Sequence, residues 1–361
     1  MNRLTAIGLA SLVAYGLLLT TKYLGVVSAA REDNGAPSAV DSQVVGTAVV
    51  AAPAETAPIK RVSLPPPLPR TEPMRASATA VDFRSSRDLK AFVDSLNSHR
   101  DSLTGDESYF LAKALEECQF TTTVNEDLAA YSAKQRRQFL AGLTPGDPNN
   151  ARRIAAYDAV DNTQRCARFQ GTKISQKEIE DLFLAAAQQG DARAQARMLV
   201  ADLNGAKSRA AGSGTTAETQ ASQHVNESMS QLISLLESRD PEAIQIVGGF
   251  LSQSSIASSL HIGPNGEIPE PSAFLGSFSL VACNLQPDCV NLSREPQMAC
   301  AYGGYCDAQS YEELYANFMA SPFTYMQAIR YRDLIMTAMN TRNWALIGLT
   351  PKLAEKLKLG M

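Results

Sequence analysis

The chain has 361 residues, with 33 basic and 37 acidic side chains, a formal net charge of −4 and 45% hydrophobic residues. That balance has no bulk basic excess for binding a polyanion and is too apolar for a wholly disordered chain, so it excludes those two classes and points to a globular body.

In chain order, Arg3 precedes a charge-free apolar run from Leu4 to Thr21, then Lys22, then a second apolar patch from Tyr23 to Ala30. A secretory signal has an apolar region of ~7–15 residues followed by small residues at the cut. Ser28-Ala29-Ala30 would serve as that cut but lies far beyond the run. A membrane span needs ~20 apolar residues, which residues 4–27 supply if Lys22 extends its ammonium to the headgroups. Residues 1–30 therefore read as an uncleaved inner-membrane anchor with the rest of the chain in the periplasm; cleavage would give a secreted protein. Residues 31–81 are rich in Ala, Pro, Val, Ser and Thr and include Leu64-Pro65-Pro66-Pro67-Leu68-Pro69. Proline removes backbone donors and favours an extended chain, so this stretch reads as a disordered tether in preference to a ligand for a proline-binding receptor.

From residue 82 apolar residues recur at helical spacing and strand-like alternation is scarce, which predicts an all-α body. Ser175-Gln176-Lys177-Glu178 has the capping-box form, and Asp240-Pro241 and Ser321-Pro322 each place a capping side chain before a first-turn proline. Residues 205–222, rich in Gly, Ala, Ser and Thr, predict a flexible loop between a helical lobe at 82–204 and a second at 223–361.

Residues 179–203 predict two antiparallel helices around a Gly190-Asp191 turn, with small alanines at their contact. Ala186, Ala187, Gly190, Asp191, Ala194, Gln195 and Leu199 stand where the Sel-like repeat, a relative of the tetratricopeptide repeat, has its alanine pair, its Gly-Asp turn and its Ala-x-x-x-Leu, and the stretch resembles that repeat. A weaker copy turns at Arg239-Asp240-Pro241 with Ala243 after it; the aromatic and Gly-Tyr positions usual at the repeat's ends are missing. The order of parts, with Ala-Leu-Glu-Glu-Cys118, Arg165-Cys166, the hairpin pair and a late cysteine cassette, also resembles a group of exported proteobacterial proteins to which no activity is attached. The resemblance implies degenerate helical repeats in the periplasm.

Six cysteines in an exported chain predict three disulfides. Cys118 and Cys166, the only two in the first lobe, are natural partners. Cys283, Cys289, Cys300 and Cys306 form two strings of equal spacing. Local pairing, Cys283 with Cys289 and Cys300 with Cys306, is favoured by that shared form; crossed pairing, Cys283 with Cys300 and Cys289 with Cys306, stays open. Structural zinc prefers two to four residues between cysteines, and five separate each pair here.

The chain lacks a nucleophile elbow, a zinc-protease helix, a phosphate loop and a dinucleotide fingerprint, so no cofactor or metal is expected. Its three histidines, His99, His224 and His261, lie far apart and read as surface residues. Glu107-Ser108 resembles the pair around the catalytic acid of lytic transglycosylases, which cut wall polymer, but that family's Gly-Leu-Met-Gln segment is absent. Glu107 is better read as an acidic first-turn residue favoured by the helix dipole.

Between Ser132 and Lys173 eight basic residues, among them Arg136, Arg137, Arg152 and Arg153, stand against three acidic ones. Such a run suits an acidic partner or an anionic lipid surface, although most charge runs are solvated faces; nucleic acid does not fit an exported chain. Eight aromatic residues fall between positions 302 and 331. Tyr302, Tyr305, Tyr311 and Tyr315 are candidates for a binding surface, against the competing reading that these rings and Trp344 pack the core. The leading expectation is a noncatalytic periplasmic scaffold that binds an envelope protein, since helical hairpins stack into concave surfaces. The alternatives are an envelope enzyme acting on peptidoglycan and a structural spacer.

Overall fold

Strong local capping divides the body into short helices. The computed structural model describes residues 76–124, 127–210, 228–286, 294–308 and 310–350. The expected anchor, the tether up to residue 75, the histidine at 224, most of the expected loop and Cys289 lie outside these residues; the last residues of the expected tether, from Ala78, are instead helical, with Ala80 buried.

Helix α1 (Ala78–Ser85) starts where the Ser77 hydroxyl accepts the Ala80 amide, and α2 (Leu89–Asn97) where Asp88 accepts two amides. After a 3₁₀ turn comes the long α3 (Gly105–Val124), then α4 (Leu128–Ala141, capped by Asp127), α5 (Asn150–Val160) and the one-turn α6 (Asn162–Arg165, capped by Asp161). Helices α7 (Gln176–Gln188) and α8 (Ala192–Ala210) form the hairpin expected around Gly190. A helical stretch over 228–237, here α9, leads into α10 (Pro241–Leu251) and α11 (Ser254–Ala257). Helices α12 (Pro271–Asn284), α13 (Glu295–Gly303), α14 (Tyr311–Leu314, continuing as a π turn) and α15 (Pro322–Thr341) complete the body, with a final 3₁₀ turn at Trp344–Ile347. Among the described residues there is no strand, only an isolated bridge between Ile262 and Glu267. No described helix is long and apolar enough to cross a membrane.

Two caps follow the sequence and one does not. Asp240 accepts the amides of Glu242 and Ala243, and Ser321 accepts that of Thr324. Ser175 is the N-cap residue of α7 but its hydroxyl makes no capping bond; Glu178 instead pairs with Arg100 at 2.7 Å.

The described residues belong to one compact unit with two apolar cores. The first packs Phe83, Leu89, Phe110, Ile179 and Phe183 between α1, α2, α3 and α7. The second packs Leu203, Leu236, Val247, Phe278 and Ile335 between α8, α9, α10, α12 and α15. Helix α8 serves both, placing Ala194 in the first core and Ala192, Ala196 and Leu199 in the second. The cores therefore meet along α8, before the expected loop, because that helix is apolar on two faces. It also continues six residues into the stretch expected as a loop, through Gly205 to Ala210, whose alanines and long basic side chains favour helix. Close approach in the second core depends on absent side chains: a Cβ on Gly248 would run into Phe278 and one on Gly276 into Tyr315.

Cys118 and Cys166, both fully buried, are bonded across 48 positions and tie α3 to the turn after α6. The Arg165 guanidinium, beside that bond, donates to the Phe83 and Ser86 carbonyls and to Glu117. Cys300 is bonded to Cys306, which excludes the crossed pairing. Cys283 is also disulfide-bonded.

Candidate functional site

The basic run folds into α4 and α5, and most of its charge is engaged internally. Arg136 grips both oxygens of Asp158 at 3.0 and 3.2 Å. Arg152 donates to Asp307 at 2.5 Å and to the Cys306 carbonyl. Arg153 donates to the Ala301 carbonyl at 3.0 Å and the Tyr302 carbonyl at 3.4 Å, and lies 3.5 Å from Asp147. Arg165 and Arg168 pair with Glu117 and Asp88. Arg137 and Lys134 stay exposed with no ion-pair partner among the described residues. The arginines expected to attract an anion thus hold α4 to α5, and α5 to the cysteine cassette.

That stitching creates a groove. On α4, Tyr131, Gln135, Gln138, Phe139 and Gly142 recur at helical spacing, so they share one face. Tyr157 on α5 stacks on Phe139 with centroids 4.2 Å apart and planes at 16°. Tyr302 on α13 stands edge-on to both, at 5.9 and 6.1 Å. Gln135, Gln138, Gly142 and Arg153 complete a depression of about 270 Å³. Tyr302 is 51% exposed, and its position is fixed by the Cys300–Cys306 bond on either side of it and by Arg153 on its carbonyl. Burial and nearby Asp161 push the Tyr157 hydroxyl up to about 12, and burial raises Tyr302 too. Both phenols remain neutral donors at physiological pH.

The candidate tyrosines separate. Tyr302 joins the arginine helices in one groove. Tyr311 and Tyr315, each 5% exposed, belong to the second core and are corrected from surface to core; Tyr315 fills the space over Gly276 and its hydroxyl donates to the Ser272 carbonyl. Tyr305 is half-buried, stacks on Phe318 and donates to Glu313, away from the groove. Trp344 is buried and its indole N–H donates to Glu237. Sequence reading missed Gln135, Gln138, Phe139 and Tyr157, although the helical spacing on α4 was a usable signal.

Glu107 lacks the environment of a general acid. The Thr104 amide donates to it at 2.8 Å, and that bond, aided against burial by the Thr104 hydroxyl and His99, holds its carboxyl below the usual range. A general acid needs the opposite shift. His99 is exposed beside it and His261 is exposed elsewhere.

A second polar cluster, not legible in the sequence, joins the two cores. Tyr109 Oη donates to Glu242 Oε1 at 2.7 Å, Lys113 bonds the same oxygen, and Arg84 lies 3.8 Å from Oε2. Burial works against ionisation of Glu242, but the Lys113 and Arg193 cations outweigh it and hold the carboxyl at about 2. Arg193, itself buried, pairs with Asp191 and with Asp106 at 2.6 Å, over the faces of Tyr109 and Phe110. Among the described residues no group of His, Cys, Asp or Glu side chains is arranged to hold a metal ion.

In comparisons with known proteins, the chain matches no family model, no curated protein and no solved structure. The fold and site therefore define a class only: an all-helical, disulfide-stapled body with an aromatic groove.

Proposed function

We propose that the chain is a noncatalytic interaction module of the cell envelope, whose α4–α5–α13 groove docks a segment of protein. The observation that carries this reading is Tyr302, half-exposed yet held by a disulfide loop and an arginine against the Phe139–Tyr157 stack. A rigid, exposed aromatic ring beside amide donors presents large contact area at low entropy cost, as binding anchors do. Two disulfides among the described residues fit an oxidising periplasmic or extracellular compartment. Within this reading residues 4–27 anchor the chain in the inner membrane and residues 31–75 act as tether. Relationship to Sel-like repeats is supported by the common geometry of two turns: a left-handed residue, Gly190 or Arg239, then an Asp that caps the next helix. The peptidoglycan-enzyme alternative loses its candidate acid with the lowered carboxyl of Glu107.

The test is photocrosslinking in intact cells with p-benzoylphenylalanine at Gln138, and at Phe323 as a remote exposed control. The expected result is an envelope-protein adduct specific to Gln138 and lost on Tyr302→Ala. An adduct equally abundant at both positions, or indifferent to Tyr302, overturns the reading.

A further inference from the structure

The groove's chemistry narrows what it takes. Its arginine is already engaged by Asp147 and two carbonyls, so it does not demand an anion. What it offers is the exposed Tyr302 ring beside the Phe139–Tyr157 stack, a Tyr302 hydroxyl that stays protonated, and the side-chain amides of Gln135 and Gln138. A run of prolines is the complementary ligand. Its flat rings lie against aromatic faces, its carbonyls have no internal donors and so accept from amides and phenols, and its ordering entropy is low.

The chain carries such a run in Leu64-Pro65-Pro66-Pro67-Leu68-Pro69. Seven positions separate Pro69 from Ala76, where the described body begins, and an extended chain covers about 3.3 Å per residue, or roughly 23 Å in all. Helix α1 follows at once, and eight helical residues advance about 12 Å. Just past its end the Arg87 guanidinium donates to the Asp158 carbonyl at 3.0 Å, next to Tyr157 on the groove floor. The proline run is therefore within reach of the groove in the same molecule, at an effective concentration in the millimolar range for so short a connection.

We infer that the groove binds a proline-rich stretch, and that residues 64–69 of the same chain are its resident occupant. The inference rests on the docking reading above and deepens it: an envelope partner enters by presenting the same chemistry and displacing the chain's own prolines.

The test uses purified full-length protein at low concentration with Ser63→p-benzoylphenylalanine, which alters neither the prolines nor the groove. After irradiation, the expected adducts stay within one chain and map to the tryptic peptides 138–152 and 154–165. Tyr302→Ala is expected to lower their yield at least fivefold, as is the triple change Pro65→Ser, Pro66→Ser and Pro67→Ser, while Phe323→Ala leaves it unchanged. Adducts spread over the body and indifferent to Tyr302, or joining two chains, overturn the inference. If that happens while the probe at Gln138 still captures a Tyr302-dependent partner in cells, the docking reading stands alone.

Discussion

Glu242 is a half-buried carboxylate, its side chain 17% exposed, facing Lys113, Arg84 and Tyr109, and removing its charge leaves the partly exposed Lys113 without its partner. Breaking one side of a fully buried ion pair costs about 3–5 kcal/mol and an exposed one about 0–1, so at this half-buried site Glu242→Gln is expected to lose about 2 kcal/mol in urea unfolding at neutral pH. A loss under 1 kcal/mol would mean the cluster contributes little. The same group gives acid sensitivity a sign. Its folded carboxyl, at about 2, lies below the ordinary value of 4.5, so it stabilises the fold above that ordinary value. The contribution fades as pH falls from about 4.5 through about 2. Asp240, raised by burial despite Arg193, acts in the opposite direction and offsets part of this. Unfolding measured at pH ~7 and ~3 should therefore show a smaller acid loss in Glu242→Gln than in the parent chain.

At the scale of elements, the two hairpin turns differ at one residue. Gly190 takes a left-handed φ of 84° without penalty, whereas Arg239 is held at 54° with a Cβ that costs about 1 kcal/mol there. Arg239→Gly is expected to be neutral or to stabilise by up to about 1 kcal/mol, while Gly190→Ala destabilises by about as much. Thermal melts of the two variants moving in the same direction would contradict the equivalence of the turns. These turns were legible because Gly-Asp and Asp-Pro act locally, within one helical turn. So was the all-α class, which needs only a 3.6-residue period. The capping box at Ser175 misled because Glu178 finds Arg100, 78 positions away, a contact no local pattern reports. The groove was half legible. Its arginines and Tyr302 stood out as residue types, but their meeting depends on Arg153 reaching carbonyls 148 and 149 positions along the chain. Tyr302 and Tyr315 look alike in sequence; only the space above Gly276 sends one inward.

Across the whole molecule, the two cores are joined by α8 and by the Glu242 cluster, which brings Arg84, Tyr109 and Lys113 of the first to α10 of the second. Trp344, the chain's only tryptophan, sits in the second core and reports on it alone, while far-ultraviolet circular dichroism reports on both. The two signals are expected to change together on unfolding, and to separate in Glu242→Gln. Separation in the parent chain would show that the cores unfold independently. Staples act unevenly on this body. The Cys118–Cys166 bond closes a separation of 48 residues and the Cys300–Cys306 bond one of six. In the chain-entropy account that is worth about 4 and about 2 kcal/mol, so the paired serine variants should lower stability in that order.

The smaller staple matters for timing. Tyr302 lies inside the loop that Cys300 and Cys306 close, so reducing that bond removes one of the two constraints on the wall of the groove, the Arg153 contact being the other. In the docking reading proposed above, a copy with reduced thiols is expected to hold its ligand more weakly than the oxidised one, which a binding measurement with and without reductant checks. On that same proposal, an oxidising compartment would complete the binding surface and no separate inhibitor would be needed.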